Sequence, residues 1–223
     1  YFPQENLYKM TDSKGRLIVM RPDSTMPIAR VVATRLRDAD LPLKLCYNQT
    51  VYRNESLLKG RSDETVQAGI ELIGSEMKMA DLEVISAAVD ALNAFGLEFS
   101  LELGHIGVFK CLVDRLDADE KDKNHIRKLI QNKNFPALND FLDTFGNNSV
   151  TAALKKLPAL FGGEEVFEKA EELIPDENVK RILDELREIY CDIADICGNE
   201  GNITVDLGLV NKTDNDKATD IEE

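Results

Sequence analysis

The sequence of 223 residues predicts an α+β fold, in which an antiparallel sheet is flanked by helices and carries a helical insertion. Three observations predict it. Short segments of alternating polarity, separated by turn residues, occur up to Gly74. Apolar residues then recur at helical spacing from Leu82 to Phe95. From Asp117 to Asn199 every pattern is helical, with short breaks between helices.

A β-hairpin is predicted near the start of the chain. Its strands are residues 7–12 and 16–21, and Ser13, Lys14 and Gly15 lie between them. Glycine tolerates the left-handed backbone conformation that hairpin turns need. We therefore expect a tight turn at Gly15.

A helix is predicted directly after this hairpin. Pro22 disfavours a helical conformation in the residue that precedes it. Asp23, Ser24 and Thr25 follow, and their side chains are all good helix caps. The helix should run to about Arg35. The acidic and hydroxyl side chains of residues 23–25 should then lie at the edge of the sheet, where the chain leaves the hairpin.

Two longer strands are predicted, from Cys46 to Arg53 and from Gln67 to Gly74. Side chains alternate faces along a strand, so Gln67, Gly69 and Glu71 point to one side. The other side carries Ala68, Ile70 and Leu72. We expect the polar row to form a binding floor and the apolar row to lie on a core.

The next elements are a helix that ends at Gly96, a half-buried strand from Leu97 to Leu103, and a further helix through Phe109. His105 follows the strand. It is placed to approach a ligand or to cap the helix, and the second role is the more common one for such a residue.

The helical segment from residue 117 to 199 ends in a long amphipathic helix from Val179 to Ile196. Apolar ridges of this kind usually form a core, although they can also dock a partner. We expect four regions: a core in residues 1–116, a helical insertion in 117–199, a core strand in 200–210 and a disordered tail in 211–223. The first part of the core is expected to be missing before residue 1.

Composition argues against several classes of function. The net charge is -14, with 41 acidic and 27 basic residues, and no Lys/Arg stripe with interleaved aromatic residues indicates a nucleic-acid partner. The four cysteines form no C-x-x-C pair, and two histidines are too few for a zinc site. We therefore expect no metal, no cofactor and no disulfide. The absence of a long apolar run predicts a cytoplasmic protein without a membrane partner.

Three segments together resemble one family. They are Arg21-Pro-Asp-Ser-Thr-Met-Pro-Ile-Ala-Arg30, Leu43-Lys-Leu-Cys-Tyr47 and Gln67-Ala-Gly-Ile-Glu-Leu-Ile-Gly74. With the preceding hairpin, they are similar to the class II aminoacyl-tRNA synthetase core of histidyl-tRNA synthetase. Within that group they look most like its paralogue, the regulatory subunit of ATP phosphoribosyltransferase in histidine biosynthesis.

The resemblance implies a histidine site at five positions: Asp23, Thr25, Arg53, Gln67 and Glu71. Asp23 and Thr25 would accept from the α-ammonium, Gln67 would orient the ligand, Arg53 would pair with its carboxylate, and Glu71 would accept from the imidazole N–H. The alternative is that Arg53 and Glu71 form a structural ion pair across adjacent strands, without any ligand.

Two residues depart from the synthetase pattern. Asp63 stands where synthetases usually have an arginine, and Thr65 where they have a phenylalanine that packs on adenine. A carboxylate facing nucleotide phosphates costs at least about 1 kcal/mol, and loss of the stacking ring costs about 1 to 3 kcal/mol. We therefore expect impaired activation of ATP. The Tyr-Tyr element by which the family completes its pocket is also absent after Val210.

The resemblance further implies a subunit without catalytic residues of its own. Its partner would be the short catalytic form of ATP phosphoribosyltransferase, its effector would be histidine, and it would form a homodimer within a hetero-oligomer. Two alternatives stay open. One is a histidyl-tRNA synthetase or synthetase fragment that activates histidine with ATP, and the other is a scaffold that has lost ligand binding.

Overall fold

The structure is a computed structural model that describes residues 4–54, 62–75, 78–197 and 203–210. These residues form two compact units. The first unit ends at Val84 and the second begins at Ile85, so the division falls inside one helix. The predicted tail lies outside the described residues.

The first unit consists of four strands and a helix, followed by the start of a second helix. In chain order they are β1 (Lys9–Thr11), β2 (Leu17–Val19), α1 (Thr25–Arg35), β3 (Leu43–Tyr52), β4 (Glu64–Ile73) and α2 (Lys78–Ala94), preceded by a 3-10 turn at Gln4–Asn6. β1 pairs with β2, and β3 with β4, both antiparallel. Two hairpins therefore frame α1.

The first hairpin and α1 form as the sequence predicts. Gly15 has a φ of 77° in the turn between β1 and β2, which is the left-handed conformation expected there. α1 runs from Thr25 to Arg35. The Tyr52 amide donates to the Arg21 carbonyl at 2.8 Å, which ties the end of β3 to the segment that leads into α1.

The β3–β4 ladder corrects one prediction. The face that carries Gln67, Gly69 and Glu71 is half-buried, whereas Ala68 and Ile70 on the opposite face are exposed. Among the described residues, Ala68 and Ile70 therefore do not lie on a core, and Leu72 of the same row is half-buried. On the same exposed face, Lys44 forms an ion pair of 2.6 Å with Glu83 of α2. The prediction failed because alternation determines which residues share a face of the sheet, but not which face is covered.

The second unit contains the rest of α2, three short strands and six further helices among the described residues. They are β5 (Leu101–Leu103), α3 (Ile106–Val113), α4 (Glu120–Gln131), α5 (Phe135–Asp143), α6 (Ser149–Lys156), β6 (Phe161–Gly162), α7 (Glu165–Leu173), α8 (Glu177–Cys197) and β7 (Ile203–Asp206), with a 3-10 turn at Leu157–Ala159. His105 Nδ1 accepts from the Gly107 amide at 3.0 Å at the start of α3, which confirms its capping role.

The sheet of the second unit differs from the prediction in three respects. β7 lies between β5 and β6, and its pairing with β5 is parallel, so this sheet is mixed. β6 lies within the segment predicted to be purely helical. The strand predicted from Leu97 is ordered as β5 only from Leu101, because the pairing with β7 begins there.

The core of the second unit is made by its helices. α4 packs on α5, α5 on α6, α3 on both α6 and α8, and α7 on α8. Its largest fully buried side chains include Leu112, Ile126, Leu138, Leu142, Leu154, Phe167, Leu183 and Ile193. The amphipathic faces of the helical segment thus form a core, as the sequence favoured.

Polar caps begin several of these helices. The side chain of Asp119 accepts from the Asp122 amide at the start of α4, and that of Asn134 accepts from the Ala137 amide at the start of α5. At α6, Asn148 Oδ1 accepts from the Thr151 amide at 3.0 Å, while Thr151 Oγ1 accepts from the Asn148 amide at 3.1 Å. This reciprocal capping box satisfies two amides that would otherwise lack partners.

Replacing Asn148 tests the contribution of this cap. Asn148→Ala is expected to lower the free energy of unfolding by about 1 kcal/mol, because the first-turn amides of α6 lose their acceptor. Urea denaturation followed by circular dichroism measures the change. Asn147→Ala is the matched control, since Asn147 is exposed and does not belong to the capping box. Equal losses in the two variants would contradict this role of Asn148.

Candidate functional site

One hydrogen bond joins α1 to β4 at the centre of the candidate site. Thr25 Oγ1 donates to Glu71 Oε1 at 2.8 Å. The two residues are 46 positions apart in the chain, and both are partly buried. This bond holds one carboxylate oxygen of Glu71 in place on the half-buried face of the ladder.

The turn before α1 supplies further polar groups. Asp23 Oδ1 accepts from the Met26 amide at 3.1 Å, so it is this carboxylate that caps the helix. Ser24 makes no side-chain cap bond. Its side chain is fully buried, and its Oγ has no hydrogen-bond partner within the part of the chain that the structure describes.

Arg53 lies at the far end of β3 from Glu71. Its Nε donates to the Pro22 carbonyl at 2.8 Å, which holds the guanidinium against the turn before α1. In the register, Glu71 lies opposite Leu45, whereas the Arg53 amide donates to the Asp63 carbonyl. The two charged residues are therefore not cross-strand neighbours, which removes the geometric basis of the structural ion pair.

Gln67 presents a buried acceptor. Its Oε1 is inaccessible to solvent and has no hydrogen-bond partner among the described residues. Burial of such an oxygen without a donor costs about 1 to 3 kcal/mol. Gln67 and Arg53 both line a cleft of about 140 Å³, together with Asp63 and Thr65.

Asp63 contacts the first hairpin. The Tyr8 hydroxyl donates to Asp63 Oδ2, and this hydrogen bond is the main cause that raises the pKa of Tyr8 above its ordinary value. Partial burial and the charge of Asp63 add to the rise. Asp63, which lines the cleft, is therefore held by the phenol of Tyr8.

Tyr47 belongs to the same face and was not among the residues predicted for the site. It pairs with Gly69 across the ladder, and a Cβ at position 69 would lie only 2.4 Å from the Tyr47 hydroxyl. Burial raises the pKa of Tyr47, the charges of Glu71 and Asp23 raise it further, and Arg53 opposes them. An aromatic residue opposite a glycine is a known cross-strand signal, but it is visible only once the register is known.

The five residues predicted for the site therefore lie on or beside the half-buried face of the β3–β4 ladder. Thr25 contacts Glu71 directly, Gln67 shares a cleft with Arg53, and the charges of Glu71, Asp23 and Arg53 all act on Tyr47. The arrangement offers both carboxylate acceptors and a guanidinium around this face. It is suited chemically to a small zwitterion.

The pKa values of Tyr8 and Tyr47 test this geometry. Asp63→Asn is expected to lower the pKa of Tyr8 toward 10.0, because a nearby carboxylate disfavours the phenolate, and to leave Tyr47 unchanged. Glu71→Gln is expected to lower the pKa of Tyr47 and leave Tyr8 unchanged. Titration of ¹³Cζ-labelled tyrosine by NMR measures both values, and each variant is the control for the other. Equal shifts at both tyrosines would contradict the two separate contacts.

Within residues 4–54, 62–75, 78–197 and 203–210, no group of three His, Cys, Asp or Glu side chains is arranged to hold a metal ion. No helix in those ranges combines the length and the apolar character needed to cross a bilayer.

A sequence profile described as histidyl-tRNA synthetase matches residues 3–214, which is most of the chain. The chain belongs to the histidyl-tRNA synthetase family. This membership agrees with the α+β fold and with the class II resemblance of the first hairpin, α1 and the β3–β4 ladder.

Among curated members of the family, the chain is similar to the ATP phosphoribosyltransferase regulatory subunit of Clostridium kluyveri, with 42% identity over 213 residues. The match covers 93% of this chain and 54% of that protein. A regulatory subunit from Thermoanaerobacter sp. is 39% identical over 211 residues, with 94% and 55% covered. The resemblance to this branch of the family is thereby confirmed. The chain spans about half the length of the curated relatives it matches.

Solved structures of the family agree. A Bacillus halodurans protein described as an ATP phosphoribosyltransferase regulatory subunit/histidyl-tRNA synthetase matches with a TM-score of 0.83 and 33% identity, covering 94% of this chain and 55% of that one. An ATP phosphoribosyl transferase complex from Thermotoga maritima matches with a TM-score of 0.68 at 20% identity, covering 94% and 72%. The second likeness concerns the fold alone.

Proposed function

We propose that this chain is the histidine-binding part of a regulatory subunit of ATP phosphoribosyltransferase, and that it supplies no catalytic residue of its own. The observation that carries the proposal is that Gln67, whose buried Oε1 has no partner among the described residues, lines a cleft together with Arg53. A buried acceptor without a donor calls for a ligand that brings one, and the α-ammonium of an amino acid is such a donor.

The rest of the face matches the other groups of histidine. Arg53, held by the Pro22 carbonyl, pairs with the ligand carboxylate. Glu71 keeps one oxygen on Thr25 and accepts from the imidazole N–H through the other. Asp23 and Thr25 accept from the ammonium at the start of α1. The ligand thus extends along the face, with its ring toward Glu71.

Binding of a nucleotide is disfavoured in the cleft that Arg53 lines. Asp63 places a carboxylate in the cleft next to Arg53, where synthetases usually place a second cation, and Tyr8 holds that carboxylate. Like charges repel, so phosphates bind less well there. This supports regulation by histidine over activation of histidine with ATP.

Similarity to the same branch of the family supports a proposal for the partner and the assembly. We propose that the chain acts in the cytoplasm with the short catalytic form of ATP phosphoribosyltransferase, as a homodimer within a hetero-oligomer. Feedback arises if histidine binds the inhibited assembly better than the active one. A coupling free energy of about 1 to 3 kcal/mol is typical, which corresponds to about 5- to 150-fold in affinity.

Isothermal titration tests the proposal directly. The purified protein is titrated with histidine and, separately, with ATP, and pyrophosphate exchange into ATP is assayed in the presence of histidine. Saturable histidine binding without ATP binding or exchange is expected. Histidine-dependent exchange would instead support the synthetase alternative, which the family match itself keeps open. Failure to bind either ligand would support a scaffold.

A further inference from the structure

Tyr47 lies at the middle of the face that we propose binds histidine. It is directly opposite Gly69 in the register, and Gly69 separates Gln67 from Glu71 along β4. A Cβ built at position 69 would lie 2.4 Å from the Tyr47 hydroxyl and 2.5 Å from its Cζ atom. The phenol end of Tyr47 therefore rests on the backbone of Gly69, in the space that any side chain at 69 would fill.

This position puts the hydroxyl between the two polar groups of β4. Residues i and i+2 of a strand are about 6.5 Å apart and point to the same side. Gln67 and Glu71 therefore rise from the strand on either side of the Tyr47 hydroxyl. A ligand that reaches from the amide of Gln67 to the carboxylate of Glu71 has to pass over this hydroxyl.

The hydroxyl itself is available for a ligand. It has no hydrogen-bond partner within the part of the chain that the structure describes, although Tyr47 is half-buried. Burial and the carboxylates of Glu71 and Asp23 raise the pKa of Tyr47 against the opposing charge of Arg53, so the phenol stays protonated at neutral pH. It can therefore donate a hydrogen bond.

Histidine has an acceptor at the corresponding point. A neutral imidazole carries one N–H donor and one bare nitrogen acceptor. If Glu71 accepts from Nε2–H, the bare nitrogen is Nδ1, which lies between the ring tip and the α-ammonium. On a ligand that extends from Gln67 to Glu71, Nδ1 is the ring atom that passes over Gly69.

We propose that Tyr47 is a specificity-determining residue of this site, whose hydroxyl donates to Nδ1 of the bound histidine while its ring forms the floor under the ligand. The inference rests on the proposed function and deepens it. Together, Glu71 and Tyr47 recognise both nitrogens of the imidazole, and a hydrocarbon side chain such as that of phenylalanine or leucine has neither nitrogen.

Tyr47→Phe removes this hydroxyl and keeps the ring on Gly69. Titration calorimetry is expected to show histidine binding weakened by about 2- to 12-fold, the range for loss of one hydrogen bond. Nδ1-methylhistidine, which has no bare nitrogen at that position, should bind no more weakly to the variant than to wild type. Tyr52→Phe is the matched control, since Tyr52 belongs to the same strand but to the other face. Its affinity for histidine should equal that of wild type.

Three results would overturn the inference, and they are distinguishable. Wild-type affinity for histidine in a folded Tyr47→Phe protein refutes the role of Tyr47 alone. Absence of histidine binding by the wild-type protein refutes the proposed function, and the inference with it. An equal loss for histidine and Nδ1-methylhistidine in Tyr47→Phe also refutes donation to Nδ1, because only histidine has that acceptor.

Discussion

Glu71→Gln is expected to weaken histidine binding by about 10- to 150-fold, the largest effect of any single substitution in the site. The carboxylate accepts from the imidazole N–H in the proposed complex, and hydrogen bonds to charged groups contribute about 1.5 to 3 kcal/mol. Glutamine keeps the shape of the side chain and an oxygen that can still accept from Thr25 Oγ1. The loss therefore reports the charge and not a collapse of the site. Titration calorimetry at neutral pH measures it.

Glu64→Gln is the control for this experiment. Glu64 lies on the same strand, is exposed and pairs with Tyr52 at the far end of the ladder. The Glu64→Gln substitution removes the same charge from the protein as Glu71→Gln, so any general electrostatic effect appears in both variants. Histidine affinity that falls equally in the two would count against direct recognition by Glu71.

Phe167→Ala is expected to lower the free energy of unfolding of the second unit by about 3 to 5 kcal/mol. The ring is fully buried and meets Tyr190 edge to face, with centroids 5.9 Å apart. Arg187 lies over its face at 5.1 Å and is also hydrogen-bonded to Glu171, so the ring holds α7 against α8. Truncation leaves a cavity that these neighbours fill only in part. Such a loss is large beside a typical total of about 5 to 15 kcal/mol.

Phe161→Ala makes the same truncation at a residue that is 54% exposed. Its expected cost is below about 1 kcal/mol, because less apolar surface returns to water. Guanidinium or thermal denaturation followed by circular dichroism compares the two variants. Similar losses would mean that Phe167 does not anchor the packing of α7 on α8.

Local signals explain why much of the fold was predictable. A proline, an acidic cap and helical spacing act within a few residues of one another, and they place α1 at Thr25–Arg35 as expected. His105 caps α3 through an equally local contact, because its side chain accepts from an amide two residues further along the chain. The five candidate site residues were instead proposed from the resemblance to a family, which short motifs of the sequence carry. Their roles toward histidine remain predictions until the titrations above are made.

Long-range pairing explains what the sequence left open. β6 is only two residues long and exists because β7 is beside it, so no local pattern reveals it. The parallel pairing of β5 with β7 joins segments about a hundred residues apart. The sequence could not show which face of the β3–β4 ladder is exposed, because an alternating pattern separates the two faces without indicating which one is covered.

Tyr47 illustrates the division within the candidate site. By itself, the sequence determined the chemical inventory of the face: the carboxylates of Asp23 and Glu71, the guanidinium of Arg53 and the amide of Gln67. Only the tertiary structure decided that Tyr47 meets Gly69 and that Thr25 meets Glu71. The chemical type of a side chain is read from a single position of the sequence. Its neighbours in space depend on strand register and helix docking, and contacts throughout the fold determine both.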